Sequence, residues 1–205
     1  MPYDYTDAPL PEAVPLIPEG TIATVSIHIR IPASGGVGED NMYRRNDDGS
    51  CEGLDLEFTV LDGPYRSRKF WKNFLLLSGT TDEQKRMADS NRVFVLKAIL
   101  DSAFGLDPSD KSEEARKART VNTRQFQGMN FLARIGVEKG GPDKKTGKVW
   151  PDKNCLAGVI TKDKKEWHPV EQPPPFEDSG APPSSSSSPP PASSAPPVAR
   201  PDWAR

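Results

Sequence analysis

Apolar and polar residues alternate along residues 21–31. In an extended chain, Val25, Ile27 and Ile29 would share one face, and polar side chains such as His28 would occupy the other. A period of two with many β-branched residues is typical of a strand that buries one face. The pattern therefore predicts a half-buried β-strand as the first regular element.

Four further segments predict strands. Residues 54–60 alternate and predict a second strand, and residues 66–77, which follow a turn at residues 62–65, predict a third strand as its hairpin partner. Residues 128–138 predict a fourth strand, and residues 154–161 predict a fifth.

A helix is predicted between the third and fourth strands. Thr81 is a suitable N-cap, acidic residues follow it in the first turn, and apolar residues recur at helical spacing as far as Phe104. Gly105 is a suitable C-cap. A short solvated helix at residues 110–119 and one more turn at residues 123–127 are also predicted.

The predicted fold class is mainly β. Three strands, a helix and two strands follow the order of the five-stranded OB-fold, a β-barrel with a helix between strands three and four. The longest connections, residues 33–52 and residues 139–153, join strands one and two and strands four and five. In an OB-fold these loops flank the oligonucleotide groove. A split α+β sheet is the structural alternative.

Composition divides the chain into three parts. Residues 1–18 are acidic and rich in proline, and they predict an extended N-terminal arm. Residues 19–170 predict the OB-fold domain. Residues 171–205 hold 11 of the chain's 22 prolines and predict a disordered Pro/Ser-rich tail.

Several classes of protein are disfavoured by the sequence. Its apolar runs are too short for a transmembrane helix, and its acidic start does not resemble a secretory signal. Cys51 and Cys155 are far apart and no CxxC pair occurs, so neither a zinc site nor a disulfide framework is expected. These features predict a cytoplasmic protein without a metal, a cofactor or a membrane partner.

No enzymatic activity is expected, because the sequence contains no phosphate-binding glycine loop, dinucleotide fingerprint or nucleophile signature. Glu52, Asp55 and Glu57 could supply part of a metal-dependent nuclease site. Such chemistry needs several acids that converge on one ion. A nuclease is therefore the third alternative.

The net charge of −2 hides a basic central region, because residues 21–172 hold 25 Lys and Arg against 22 Asp and Glu. The cations form clusters beside aromatic residues, a combination that suits single-stranded nucleic acid. The cluster residues are Tyr43, Arg44 and Arg45 in the first long loop; Arg66, Arg68, Lys69, Trp71 and Lys72 on the third strand; and Lys144, Lys145, Lys148, Trp150 and Lys153 in the second long loop, with Arg134 on the fourth strand.

Two tryptophans in these clusters have structural alternatives. Phe70 and Trp71 must face opposite sides of a strand, and Phe70, in register with Phe74, is the more natural core residue. Trp71 is therefore predicted to face outward beside the cations. Trp150 could instead pack against its own loop, and a single Lys-rich loop is more often only solvated.

Three motifs carry a resemblance to a known family. They are Pro18-Glu19-Gly20-Thr21, Asp62-Gly63-Pro64-Tyr65-x-x-Arg68-Lys69-Phe70-Trp71 and Phe126-x-Gly128-Met129-x-Phe131-x-Ala133-Arg134-Ile135-Gly136-Val137-Glu138. Over about residues 15–170 the chain resembles phage and prophage proteins that are regarded as OB-fold and single-stranded-DNA-binding-like. The resemblance implies a site that includes Arg68, Lys69, Trp71 and Arg134. It also implies a role in phage DNA replication or recombination in the bacterial host cell.

The tail departs from the pattern of bacterial single-stranded-DNA-binding proteins. Those proteins end in an acidic tip that finishes with proline and phenylalanine, whereas this chain ends at Arg205 and has only a faint counterpart at residues 175–178. The expected function is sequence-independent binding of single-stranded DNA. The alternative is an OB-fold protein-interaction module that assembles with a recombinase or nuclease. Phage replication or recombination proteins are expected partners, and a homo-oligomer is left open.

Overall fold

The first predicted strand lies in the middle of the sheet. In the computed structural model, β1 (Ile22–Arg30) pairs antiparallel with β3 (Cys51–Val60) on one side and with β5 (Asn130–Glu138) on the other. Every second residue from Ala23 to Ile29 is buried, so the alternation in the sequence determines which face meets the core. The structure describes residues 14–33, 35–38, 41–143 and 146–173.

Three more strands extend this sheet. β4 (Lys69–Gly79) pairs with β3, β8 (Lys153–Val159) pairs with β5, and the two-residue β2 (Arg44–Arg45) pairs with the start of β3. All these pairs are antiparallel, which confirms a mainly β protein. A separate hairpin of β6 (Gly141–Pro142) and β7 (Val149–Trp150) lies within the second long loop.

In the described part of the chain, the sheet does not close into the predicted barrel. Cα atoms of β4 and β8 approach within 8 Å, but no backbone ladder joins the two strands. β4 is irregular at Asn73 and Phe74, which both lie opposite Asp55 on β3, and a bulge of this kind bends a strand. The sheet therefore curls around the core and leaves an open seam between β4 and β8.

The helical segment begins and ends at the predicted caps. α1 (Asp82–Asn91) begins after Thr81, which forms a capping box, and α2 (Ala98–Phe104) ends at Gly105, whose φ is +64°. A π-helical stretch, Arg92–Lys97, joins the two helices. No helix within the described ranges has the length and apolar character needed to cross a membrane.

A buried carboxylate connects this segment to the next helix. α3 (Glu113–Arg119) is followed by a 3₁₀ turn at Thr123–Phe126. Asp101 in α2 is buried and accepts hydrogen bonds from Lys97 Nζ and Arg119 Nε, both at 2.6 Å. Because a buried charge is costly unless it is paired, these contacts fix α3 against α2.

Aromatic rings from three strands form the centre of the core. Phe58 stacks on Phe70 with ring centroids 5.1 Å apart, and Phe131 meets Phe58 edge-on at 5.8 Å. All three rings are fully buried, whereas Trp71 is 40% exposed. Phe70 is thus the core residue and Trp71 faces outward, as predicted.

The segment before β1 belongs to the same core. Ile17 is completely buried, and its backbone N–H and C=O both bond to the side-chain amide of Asn154, at 2.9 and 2.8 Å. That amide also donates to the carbonyl of Gly136 at 3.2 Å. Arg68 donates to the carbonyl of Pro15 at 2.7 Å. Residues 14–18 are therefore held against the domain. Of the predicted tail, residues 171–205, the structure describes only residues 171–173.

Candidate nucleic-acid interface

The outward face of β3 and β4 brings predicted site residues together. Strand register places Trp71 opposite Glu57 and Lys69 opposite Thr59. Successive side chains of a strand point to opposite faces, so these four side chains share one face while Phe58 and Phe70 fill the core. This surface also includes Asp55 of β3, His28 and Arg30 of β1, and Arg44 of β2. It is called the strand face below.

The Glu57 carboxylate holds the side chains of Lys69 and Trp71 on the strand face. Its Oε1 accepts a hydrogen bond from Lys69 Nζ at 2.6 Å, and its Oε2 accepts one from Trp71 Nε1 at 3.1 Å. The hydrogen bond from Lys69 lowers the pKa of the Glu57 carboxyl, with a smaller contribution from Trp71, although burial acts in the opposite direction. An ionised Glu57 therefore orients the indole, and Trp71 remains partly exposed to solvent.

The first-loop cluster reaches the same face through Arg44. Its Nη1 lies 3.1 Å from Asp55 Oδ2, and its guanidinium lies 5.3 Å from the ring centroid of Phe74. Phe74 has a φ of +53°, a conformation that a bulky residue rarely adopts. Its backbone N–H donates to Asp55 Oδ1 at 2.7 Å, so one carboxylate supports both the bulge and the arginine.

The other two first-loop residues have different surroundings. Arg45 forms an ion pair with Glu52 at 2.5 Å on the adjacent ladder. The hydroxyl of Tyr43 lies 2.6 Å from that of Thr123, and its ring packs against the core. Tyr43 therefore anchors the long loop to the 3₁₀ turn and does not present its ring on the strand face.

The remaining third-strand cations lie away from Trp71. Arg66 is exposed. Residues 66–68 were predicted to begin the third strand, but they precede β4 because the chain is still turning after Pro64. Arg68 bonds to the N-terminal segment. Lys72 is half-buried opposite Leu56, and its charge lowers the pKa of Cys155, which burial raises by more. Lys72 thus lies on the face of β4 opposite to Trp71.

The second-loop cluster forms part of the separate hairpin. Lys148 Nζ lies 4.4 Å above the ring of Trp150, which is 52% exposed. Lys153 pairs with Glu138 at 3.4 Å across the β5–β8 ladder. Trp150 therefore packs with Lys148 of its own loop and remains half exposed. The predicted residues Lys144 and Lys145 lie outside the described residues.

Within the described ranges, carboxylates pair with five of the predicted cations, including Lys153. Arg134 on β5 pairs with Glu166 at 3.4 Å, in the same way that Arg44, Arg45 and Lys69 pair with acids on β3. Glu52, Asp55 and Glu57, the acids considered for a nuclease, each contact a different cation. Among the described residues, no three His, Cys, Asp or Glu side chains are placed to hold one metal ion.

Sequence reasoning missed the part of the strand face that β1 contributes. His28 lies opposite Glu57, and Arg30 lies opposite Asp55. Gln127 approaches from the loop before β5, with its Nε2 2.8 Å from His28 Nδ1. The alternation in β1 placed both residues on the polar face, but only the register shows which side chains they meet.

Comparisons of the chain with protein-family models, curated proteins and solved structures gave no match. The resemblance to phage proteins therefore stays a prediction.

Proposed function

We propose that the protein binds single-stranded DNA without strong sequence preference, through an OB-type barrel whose seam is partly open. The antiparallel pairing of β1 with both β3 and β5, and the proximity of β4 to β8, support this topology. An OB-fold is a partly open barrel, and its ligand face includes its second and third strands. Those strands correspond to β3 and β4.

One observation carries the proposal: cations and aromatic rings from two distant segments share the strand face. Arg44 comes from the first loop, while Lys69, Trp71 and Phe74 come from β4. A cationic face with exposed rings is what binding to a single strand requires, because phosphates pair with the cations and bases stack on the rings. Trp150 with Lys148 offers a second ring of the same kind.

The carboxylates set the strength of this binding. Glu57 and Asp55 hold Lys69 and Arg44 in defined positions but cancel most of their charge. Phosphate contacts with little net charge give moderate affinity and a shallow dependence on salt, because few counterions are released on binding. This suits a protein that coats or hands on single strands during phage or prophage replication or recombination in a bacterial host.

Fluorescence anisotropy of labelled oligo-dT, titrated with the full chain over a range of salt, tests the proposal. Trp71→Ala should weaken binding by about fivefold to 150-fold, because stacking on an aromatic ring contributes roughly 1–3 kcal/mol per base. Phe94→Ala is the matched control, since that ring is 74% exposed on the helical segment. Absence of binding at micromolar protein in low salt would end the proposal.

Exposed apolar side chains on the helical segment favour a second candidate, a protein-interaction module for a recombinase or nuclease. Met87 and Val93 are each 52% exposed, and Phe94 is 74% exposed. Exposed apolar side chains that lie close together are typical of protein contacts. Two results together would select this candidate. The chain would form a stable complex with a recombinase that Phe94→Ser abolishes, and it would bind no oligo-dT.

A further inference from the structure

The ring of His28 is held on the strand face by a side-chain amide. Gln127 Oε1 accepts the backbone N–H of Ile29 at 2.8 Å, which fixes the orientation of the amide. The amide nitrogen of Gln127 must therefore donate to His28 Nδ1, 2.8 Å away. Only an unprotonated Nδ1 can accept that bond, so the contact requires the tautomer of the exposed imidazole that carries its proton on Nε2.

A proton on His28 would change this arrangement. With Nδ1 protonated, two donors would face each other, so the ring must leave Gln127 and carry its charge onto the open strand face. Glu57, directly across the β1–β3 ladder, attracts that charge. Either the imidazolium itself or the lysine that it displaces from Glu57 then becomes available to a phosphate. Both routes add one unit of positive charge.

The effect of one proton is large because the strand face is nearly balanced. The charged residues on the elements beside His28 are Arg30 on β1, Arg44 on β2, Asp55 and Glu57 on β3, Lys69 on β4 and Arg124 in the 3₁₀ turn before Gln127. On the strands alone, three cations face two carboxylates, which leaves one net positive charge. Protonation of His28 doubles it.

We propose that His28 is a DNA-contacting residue of the strand face and that single-stranded DNA binds more tightly to the protonated imidazole. This inference depends on the proposed function and extends it to the proton linkage of the site. Binding is then linked to the uptake of a proton at His28, so affinity rises as the pH falls. Glu57 stays ionised in that range because Lys69 lowers its pKa.

Oligo-dT is the appropriate probe because its bases and phosphodiesters do not titrate near neutral pH. From pH 7.5 to pH 5.5, the affinity of the full chain should rise about three- to tenfold, as expected for one added charge-assisted contact. The slope of log affinity against log salt should steepen by about 0.7, the value for one more phosphate contact on a single strand. His28→Gln should remove both changes.

Two further variants make the result specific. The chain has two histidines, so His168→Gln is the matched control and should keep the full pH response. His28→Lys carries a permanent charge and should bind at pH 7.5 about as tightly as the unaltered chain binds at pH 5.5. Circular dichroism at both pH values checks that each variant is folded.

The outcomes separate this inference from the proposed function. Salt-sensitive binding that is independent of pH, or a pH response that survives in His28→Gln, overturns the role of His28 and leaves the binding function intact. A folded His28→Lys that binds no more tightly than His28→Gln at pH 7.5 does the same. Absence of oligo-dT binding at both pH values overturns the proposed function itself.

Discussion

Glu57→Gln should strengthen DNA binding, although it changes a side chain at the centre of the strand face. The carboxylate contacts both Lys69 and Trp71. A glutamine can still accept a hydrogen bond from the indole N–H, so the orientation of the ring is kept. The substitution removes the negative charge that competes with phosphate for the lysine.

The size of the effect follows from the geometry. Glu57 Oε1 lies 2.6 Å from Lys69 Nζ, and a phosphate oxygen bound on the other side of the ammonium adds about 2.8 Å, so the two anions would be about 5 Å apart. At that separation they repel by roughly 1 kcal/mol in water and about 3 kcal/mol at an effective dielectric constant of 20. Because Lys69 is half exposed, the lower value applies, and affinity should rise about fivefold.

Anisotropy titrations of oligo-dT at low salt measure this directly. Glu114→Gln on α3 makes the same change in net charge away from the strand face and should leave affinity within about twofold of the unaltered chain. Because Lys69 is half exposed while the Glu57 side chain is only 14% exposed, the cost in stability should be about 1 kcal/mol, the upper end of the range for exposed ion pairs. Equal or weaker binding by a folded Glu57→Gln would refute the view that phosphates approach Lys69.

Three predictions concern stability in urea unfolding. Ile17→Ala should destabilise the chain by about 2–5 kcal/mol, because it leaves a cavity at a fully buried position. The control is the adjacent Leu16→Ala, which changes a residue that is 39% exposed and should cost about 0.5 kcal/mol or less. Asp101→Asn should lower the free energy of unfolding by roughly 3 kcal/mol, since it leaves Lys97 and Arg119 without a counter-charge. A loss below about 1 kcal/mol would argue against a buried ion-pair network. The pKa values of Glu57 and Asp163 lie below their ordinary 4.5 and 3.8 because neighbouring lysines donate hydrogen bonds to them. Their contribution is complete above about pH 5 and is lost as the pH falls through the lowered values, so the urea midpoint should drop between pH 5 and pH 3.

Local patterns predicted the elements well because their causes are local. Alternation fixed the buried face of β1, and the opposition of Phe70 and Trp71 followed from the strand period alone. The helical segment was delimited by Thr81 and Gly105, whose cap chemistry does not depend on tertiary contacts. These predictions needed no knowledge of strand partners.

The partners themselves could not be predicted, because strand register depends on turns and bulges distributed through the chain. The sequence places Lys69 and Arg44 in clusters with aromatic residues, but it does not show that Glu57 and Asp55 lie opposite them. The bulge at Phe74 shifts the register by one residue and brings Asp55 to both its backbone and Arg44. The charge balance of the site is thus a property of the fold.

Two other features have no signal in a short window of sequence. The two-residue strands β2, β6 and β7 are too short to show a period, so no strand was predicted within the two long loops. The role of Asn154 depends on Ile17, which is 137 residues earlier in the chain. An asparagine that opens a strand gives no indication that its amide binds a distant backbone.

That separation determines the order in which the domain can be completed during synthesis. The chain leaves the ribosome from its amino end, so Ile17 emerges long before the asparagine that receives it. Contacts that close such a long span are slow to form, because the entropy of the intervening chain must be lost first. The nascent domain therefore carries an unsealed apolar interior until β8 has been translated, and a ribosome stalled before residue 154 would display a species that chaperones and proteases can recognise.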